Sequence, residues 1–333
     1  MRFLRNHSTD PYYNMAFDEY CLTSLPIDEP VFYVWQNRPS VIVGYNQNVN
    51  TEVNLEYLKK QGILLVRRVT GGGAVYHDLG NLNYTIVGCS DDLERDYPEY
   101  AQMMLRTLQE LGIPATLSGR NDILVEGKKV SGFAKRVCKN RLMVHGTLMY
   151  NVDLERLTEV LCPPTHKLQS KGIASVRSRV TNLCNYLSDV TDIKCFSQRI
   201  EEILSNHYTD QEYMLGDTAL EEIQKLADEK YAQWEWIYGR SPRASLHNAQ
   251  RMACGNVEVS LTLSENRIAS CLFSGDFLGN FPTSEIEQAL TDIPYDISCI
   301  KQKLSEFDIS QYFDGVNVDD LVYILFPRNE SSS

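Results

Sequence analysis

Arg67-Arg68-Val69-Thr70-Gly71-Gly72-Gly73-Ala74-Val75-Tyr76-His77-Asp78-Leu79-Gly80-Asn81 is the stretch on which the reading of this chain turns. Three consecutive glycines cost conformational entropy, and a fold keeps them only where backbone bends unusually or lets something approach closely. Here they lie between two apolar, strand-like runs, with two arginines before them and His77-Asp78 after. Backbone N–H groups exposed by such a turn cradle an anion. A neighbouring arginine adds charge-assisted hydrogen bonds worth about 1.5–3 kcal/mol each. The pattern is neither the Gly-x-x-x-x-Gly-Lys-Ser/Thr phosphate loop nor the Gly-x-Gly-x-x-Gly turn that opens a dinucleotide-binding helix. A bare triple glycine serves a tight turn equally well; the flanking Arg and His-Asp pairs favour anion binding.

Downstream, Gly119-Arg120-Asn121-Asp122 leads into Ile123–Val125, and Lys129–Ser131 returns around Glu126-Gly127, the pattern of a β-hairpin. Strand alternation puts Lys128 with Val130 on one face and Lys129 with Ser131 on the other. The small polar Ser131 beside Lys129 favours Lys129 as the lysine that faces polar ligand groups; each lysine alone also suits a solvated strand. Asn121-Asp122 reads either as a hydrogen-bonding and metal-binding entrance or as turn capping.

Further outward, strand-like runs cover Val31–Trp35, Ser40–Gly44, Ile63–Arg67, Gly73–Tyr76, Leu82–Val87 and Val144–Tyr150. Helical patterns cover Asn14–Thr23, Glu52–Gln61 with Gly62 as C-cap, Tyr97–Leu111 and Phe196–Asn206. Runs of strands with helices interspersed, rather than strict βαβα alternation, predict an α+β fold of mixed sheets. Over Gln233–Pro242 aromatic packing gives way to Gly, Ser and Pro, a domain boundary. The organisation expected is a catalytic domain over 1–240, a linker over 241–247 and a small α+β domain over 248–333. In that last domain Val257–Leu263 and Ile268–Phe273 form a hairpin, a helix covers Thr283–Leu290, and Ser331–Ser333 is a frayed tail.

Bulk properties bound the function. The 333 residues carry a net charge of −12, 43% hydrophobic and 23% charged residues. That is ordinary globular composition for about two domains, and the acidic balance argues against a nucleic-acid or membrane-surface binder. No apolar run approaches the roughly 20 residues of a membrane span, and the N-terminus does not read as a signal peptide. The nine cysteines are odd in number, with no C-x-x-C pair, which reads as reduced thiols of a cytoplasmic protein rather than a disulfide framework or zinc site.

Together the glycine loop, Gly119-Arg120-Asn121-Asp122, Lys129-Val130-Ser131-Gly132, His145-Gly146-Thr147-Leu148 and Lys171–Asn182 resemble the lipoate–protein ligase A family, in order from about Asn14 to Arg240. The resemblance implies a fold shared with biotin ligases and class II synthetases, with an accessory C-terminal domain. It implies an ATP-dependent, adenylate-forming reaction: lipoate and Mg-ATP (lipoate, ATP and Mg2+) give lipoyl-AMP and pyrophosphate. The lipoyl group then passes to a lysine of the lipoyl domains of 2-oxoacid dehydrogenase E2 subunits or of the glycine-cleavage H protein. Carried over by position, Arg68 contacts the ATP phosphate, and Gly73, Ala74, Val75 and Tyr76 line the adenylate with backbone. Lys129 is the catalytic cation that meets both the lipoate carboxyl and the phosphate, and Gly72 and His145 border the lipoate. His77, Asn81 and Asp122 match the family motif on the nucleotide side; the metal ligands stay unassigned. Val69-Thr70 stands where Ser-Ser is common, and Phe133 where a small residue is usual, a departure that bears on acyl-chain preference.

Two rivals stand beside this reading. An ATP-independent octanoyl or lipoyl transferase of the same fold would use a cysteine nucleophile, for which Cys138 or Cys162 would be needed, and neither has an activating histidine beside it in sequence. A non-catalytic lipoate-binding protein would be expected to lose Arg68 or Lys129, and both are present. Docking of an acidic acceptor on this acidic chain is expected to rest on local contacts rather than on long-range steering.

Overall fold

The first helix shows how local chemistry sets the elements. In the computed structural model α1 spans Pro11–Thr23, starting ahead of the apolar periodicity because Asp10 accepts the Tyr12 and Tyr13 N–H groups and Pro11 fills the first turn. The structure describes all residues except 120, 162–178, 209–210, 239–245, 265–266 and 327–333, and the side chains of 50, 51 and 94 are likewise left aside.

Around α1 the chain lays down β1 (Arg2–Leu4), β2 (Val31–Trp35) and β3 (Ser40–Val43), then α2 (Val49–Glu52) and α3 (Leu55–Gln61). The single helix expected over 52–61 is therefore split, because Asn54 caps a fresh start by accepting the Tyr57 N–H; it ends, as expected, at Gly62 with φ 64°. β4 (Leu64–Arg67), β5 (Val75–His77) and β6 (Asn81–Cys89) flank the glycine loop. Next come α4 (Leu93–Glu110), β7 (Ala115–Ser118), β8 (Asp122–Val125), β9 (Lys128–Cys138) and β10 (Arg141–Met149). α5 (Leu154–Val160), α6 (Ile193–His207), β11 (Glu212–Tyr213), α7 (Asp217–Leu226) and α8 (Trp234–Tyr238) follow.

Eight of these strands form one mixed sheet in the order β11-β1-β2-β6-β10-β9-β8-β7, and a small second sheet runs β4-β3-β5. β2 and β3, strand-like runs split by Asn37-Arg38-Pro39, join different sheets. One face of the large sheet packs on α4 and α6 through residues such as Met104, Leu108, Phe196 and Ile200. The other packs on α1 and α7 through Phe17, Leu22 and Ile223. α5 and α7 lie where no helix was expected; their apolar faces are short and interrupted by charge. β5 begins at Val75 rather than Gly73, since the residues before it are spent in the loop.

Beyond residue 245, β12 (Leu246–Met252), β13 (Gly255–Ser264) and β14 (Arg267–Gly275) make an antiparallel sheet, so Leu246 and His247, expected in the linker, are strand residues. With α9 (Ser284–Ala289), α10 (Ile297–Leu304) and α11 (Val318–Leu325) they enclose a separate core around Phe273, Phe277 and Phe313. This unit leans directly on the glycine loop. The Gly72 N–H donates to the Phe277 carbonyl at 3.0 Å, and the Gly275 N–H to the Asn46 carbonyl at 2.9 Å. Gly71 must be glycine here, because a Cβ would sit 2.6 Å from the Phe277 oxygen.

Candidate functional site

The two arginines of the glycine loop are both buried and do different work. Arg67 leaves β4 and is fully buried. Its guanidinium donates to the carbonyls of Gly44, Tyr45 and Gln47 at 2.7–3.0 Å and to those of Trp236 and Ile237 at 2.7–3.1 Å. It is a staple from the loop to α8. Arg68 turns inward: Nε donates to Thr70 Oγ1 at 2.9 Å, Nη1 to the Ile42 carbonyl at 3.1 Å, and Nη2 to the carbonyls of Gly71 and Gly73 at 2.7 and 2.8 Å. Burial pulls its guanidinium down to about 10. Drawing two loop carbonyls onto Arg68 keeps those negative oxygens from facing an incoming anion. Gly44 makes room for this turn, as a Cβ there would lie 2.0 Å from the Gly72 oxygen.

The loop closes one side of a cavity of about 100 Å³. Its apolar wall is Met15, Trp35, Ile42, Val75, Phe133 and Ala134, and its polar groups come from Arg68, His77, Asn83, Asn121, Lys129 and His145. Sheet register explains the set. Trp35 lies opposite Asn83 across β2 and β6, and Asn83 opposite Thr147 across β6 and β10. One face of three neighbouring strands thus supplies the floor.

Lys129 reaches the cavity, and the alternation used to choose it does not hold. A bulge sets Leu124 opposite Lys129 but Ile123 opposite Ser131, so Val130 is the extra residue. Ser131 is fully buried, while Lys128 is exposed. The ammonium of Lys129 lies 2.8 Å from Asp122 Oδ1, both side chains 35% exposed. Gly132 leaves it space, since a Cβ would be 2.7 Å from Nζ. Asp122 is therefore the lysine's ion partner. Asn121 borders the cavity and braces the hairpin, its Nδ2 donating to the Phe133 carbonyl at 2.8 Å. Of the Lys171–Asn182 block, 171–178 lie outside the described residues; its end runs along β9, the Lys129 N–H donating to the Arg179 carbonyl at 2.7 Å.

The other positions of the motif separate by strand parity. Gly72, Gly73, Ala74, Val75 and His77 border the cavity, whereas the Tyr76 side chain points the opposite way, into the core under the small sheet. Asn81 sits one step back, donating to Asn83 Oδ1 at 2.9 Å, and it is Asn83 that meets the cavity. His77 Nδ1 accepts from Asn37 Nδ2 at 3.0 Å, which leaves the proton on Nε2, an atom with no hydrogen-bond partner among the described residues. Burial, with Arg68 and His145 nearby, pulls its imidazole down to about 3, so it is neutral.

His145 is held on both nitrogens: Nε2 is 2.7 Å from Thr70 Oγ1 and Nδ1 is 2.7 Å from Asp18 Oδ2. Asp18, on α1, is 1% exposed. Sequence reading missed it. The available signal was a carboxylate set among the apolar residues Met15, Phe17 and Leu22 of a helix buried on most of its faces, a placement that only a hydrogen-bonded partner makes tolerable.

Among the described residues no three His, Cys, Asp or Glu side chains converge as a metal site. No cysteine borders the cavity among the described residues; Cys138 is half-buried on β9, and Cys162 lies outside the described residues. An apolar wall ending in a lysine and an arginine-braced loop suits an apolar acid together with a phosphate-bearing partner.

Comparison with known proteins agrees with this chemistry. Residues 10–205 match the lipoyl protein ligase A/B catalytic domain, and residues 241–325 match the bacterial lipoate protein ligase C-terminus. Lipoate–protein ligase 1 of Staphylococcus aureus is 38% identical over 327 residues, covering 98% of this chain and 100% of that relative. The crystal structure of Plasmodium falciparum LipL1 in complex with lipoate superposes with a TM-score of 0.80 at 25% identity, covering 97% of this chain and 99% of that one. A lipoate–protein ligase A bound with ATP gives a TM-score of 0.64 at 30% identity, covering 72% of this chain and 98% of that one.

Proposed function

This chain belongs to the lipoate–protein ligase family, and from that premise we propose how its cavity performs the two half-reactions and which acceptor it serves. The protein is an ATP-dependent ligase that activates lipoate and transfers the lipoyl group to protein. The observation that carries the residue roles is the placement of Lys129 and the glycine loop on one cavity that also has an apolar wall.

In the first half-reaction the lipoate carboxylate attacks the α-phosphorus of ATP, and pyrophosphate leaves to give the mixed anhydride lipoyl-AMP. Lys129 exchanges its Asp122 partner for the reacting oxygens and stabilises the charge that grows on them, an effect worth about 10²–10³ in rate for one well-placed donor. Gly72 to Val75 present backbone to the adenylate, with their turn set by Arg68. Mg2+, taken up as part of the Mg-ATP substrate, would supply charge neutralisation on the phosphates. In the second half-reaction an acceptor lysine attacks the acyl carbon and AMP leaves, with no cysteine intermediate. The acceptors are lipoyl domains of 2-oxoacid dehydrogenase E2 subunits or the glycine-cleavage H protein, and the reaction is cytoplasmic. No described helix is long and apolar enough to cross a membrane. Residues 1–240 are read as the catalytic unit, and the part beyond the linker as the accessory unit.

ATP–pyrophosphate exchange by the purified chain, with and without lipoate, tests this. Exchange that requires lipoate and falls about 10²-fold or more in Lys129→Ala is the expected result. Acyl transfer from a lipoylated carrier with no exchange would instead make the protein a transferase.

A further inference from the structure

Two charged side chains are buried at this site and joined through two polar side chains that lie between them. Arg68 and Asp18 sit on different elements, with Thr70 and His145 between them at 2.9, 2.7 and 2.7 Å. Resting on the ligase reading above, we infer that Asp18 is a positioning residue: through His145 and Thr70 it fixes the Arg68 guanidinium on the carbonyls of Gly71 and Gly73, and so holds the glycine loop in the shape that receives the nucleotide phosphates.

Counting donors fixes the direction of the chain. Arg68 Nε can only donate, so Thr70 Oγ1 accepts from it. The Thr70 hydroxyl proton then satisfies His145 Nε2, which leaves the ring proton on Nδ1, donated to Asp18 Oδ2. The reverse tautomer would aim two N–H donors at Thr70 and leave Asp18 Oδ2 facing a bare ring nitrogen. The other oxygen of Asp18 is held by the Tyr33 hydroxyl at 2.7 Å and the Thr85 hydroxyl at 3.0 Å, and Thr85 in turn accepts from Trp35 Nε1 at 2.9 Å. One carboxylate therefore anchors both the apolar wall, through Trp35, and the phosphate loop, through Arg68. The order Asp, His, Thr imitates a nucleophilic triad. Thr70 is fully buried and its oxygen is engaged by Arg68, so the arrangement positions the loop and attacks nothing.

Thr70 separates shape from hydrogen bonding, because valine keeps its shape and serine keeps its hydroxyl. Lipoate-dependent ATP–pyrophosphate exchange, expressed per folded molecule, is expected within about 3-fold of wild type in Thr70→Ser. It is expected to fall about 10²-fold in kcat in Thr70→Val and in Asp18→Asn. The double variant Asp18→Asn/Thr70→Val is expected to be no worse than about 3-fold below the weaker single variant, since one chain is cut either way. Near-normal exchange in Thr70→Val, or losses that multiply to about 10⁴-fold in the double variant, would overturn the relay. Should Asp18→Asn not fold, the serine–valine pair decides alone. Histidine ¹⁵N NMR reads the tautomer without any activity: Nδ1–H is expected for His145 in the wild type, and Nε2–H there would overturn the assignment. A wild-type chain with no lipoate-dependent exchange but an Nδ1–H His145 would sink the ligase reading and this role in it, with the hydrogen-bond direction left standing.

Discussion

His77 shows how much one burial decides. The sequence places it two residues after Val75 on a strand, and the structure buries it beside Trp35 and Asn37; that burial, with Arg68 and His145 nearby, pulls its imidazole down to about 3. In the unfolded chain the ring takes up its proton near its ordinary 6.5. The native state therefore loses stability as pH falls from about 6.5 toward 3, and keeps this contribution above 6.5. His77→Gln retains hydrogen-bonding capacity and cannot charge. The unfolding free energy from urea titration should drop by about 2–3 kcal/mol more in the wild type than in His77→Gln between pH 7 and 4.5. Equal drops would mean that the native site accommodates the imidazolium. Arg67 and Arg68 teach a related lesson: two adjacent cations read alike as phosphate ligands, yet one is consumed by carbonyls of α8 and of Gly44, Tyr45 and Gln47, and the other mainly by its own loop. Only the tertiary fold decides which carbonyls are within reach.

Among the elements, the hairpin that presents Lys129 was the most legible. Glu126-Gly127 between apolar runs signals a two-residue turn, and both residues adopt positive φ, 51° and 75°. Glutamate tolerates that region poorly, so Glu126→Asn should raise stability by about 0.5–1 kcal/mol in urea unfolding. A loss would show that the Tyr186 hydroxyl bond to Glu126, at 3.2 Å, outweighs the backbone gain. The face of Lys129 was reached by an argument that fails, because the bulge at Val130 cancels simple alternation. α4 begins well before the expected Tyr97 even though Pro98 lies inside it. The Asp92 cap and burial of Ala101, Met104 and Leu108 against the sheet outweigh the local cost of proline.

For the whole molecule, the decisive feature is that the small domain touches the glycine loop. The two cores are separate, yet Gly72 and Gly275 exchange backbone hydrogen bonds across the boundary with Phe277 and Asn46. Gly71→Ala, whose methyl would press on the Phe277 carbonyl, should loosen this contact while leaving each core intact. Hydrogen exchange should then quicken by about 10-fold or more at the Gly72 and Gly275 amides and stay unchanged in β6 and β13, as expected for a local rather than a global opening. Equal protection at Gly72 in both proteins would mean that the loop holds its shape without the small domain.

By itself the sequence determined the α+β class, the Glu126-Gly127 hairpin and the family, because each rests on local chemistry: runs of strand and helix formers, turn residues and a fixed order of motifs. What only the tertiary structure decided is long-range. It set β2 and β3 in different sheets, turned Tyr76 away from the cavity and placed Asn83 in front of Asn81. It also joined Asp18 to Arg68 through residues spread over α1, β10 and the loop. Those outcomes depend on which buried polar groups find partners once distant strands come together, and a buried donor accepts whatever partner the packing brings within about 3 Å.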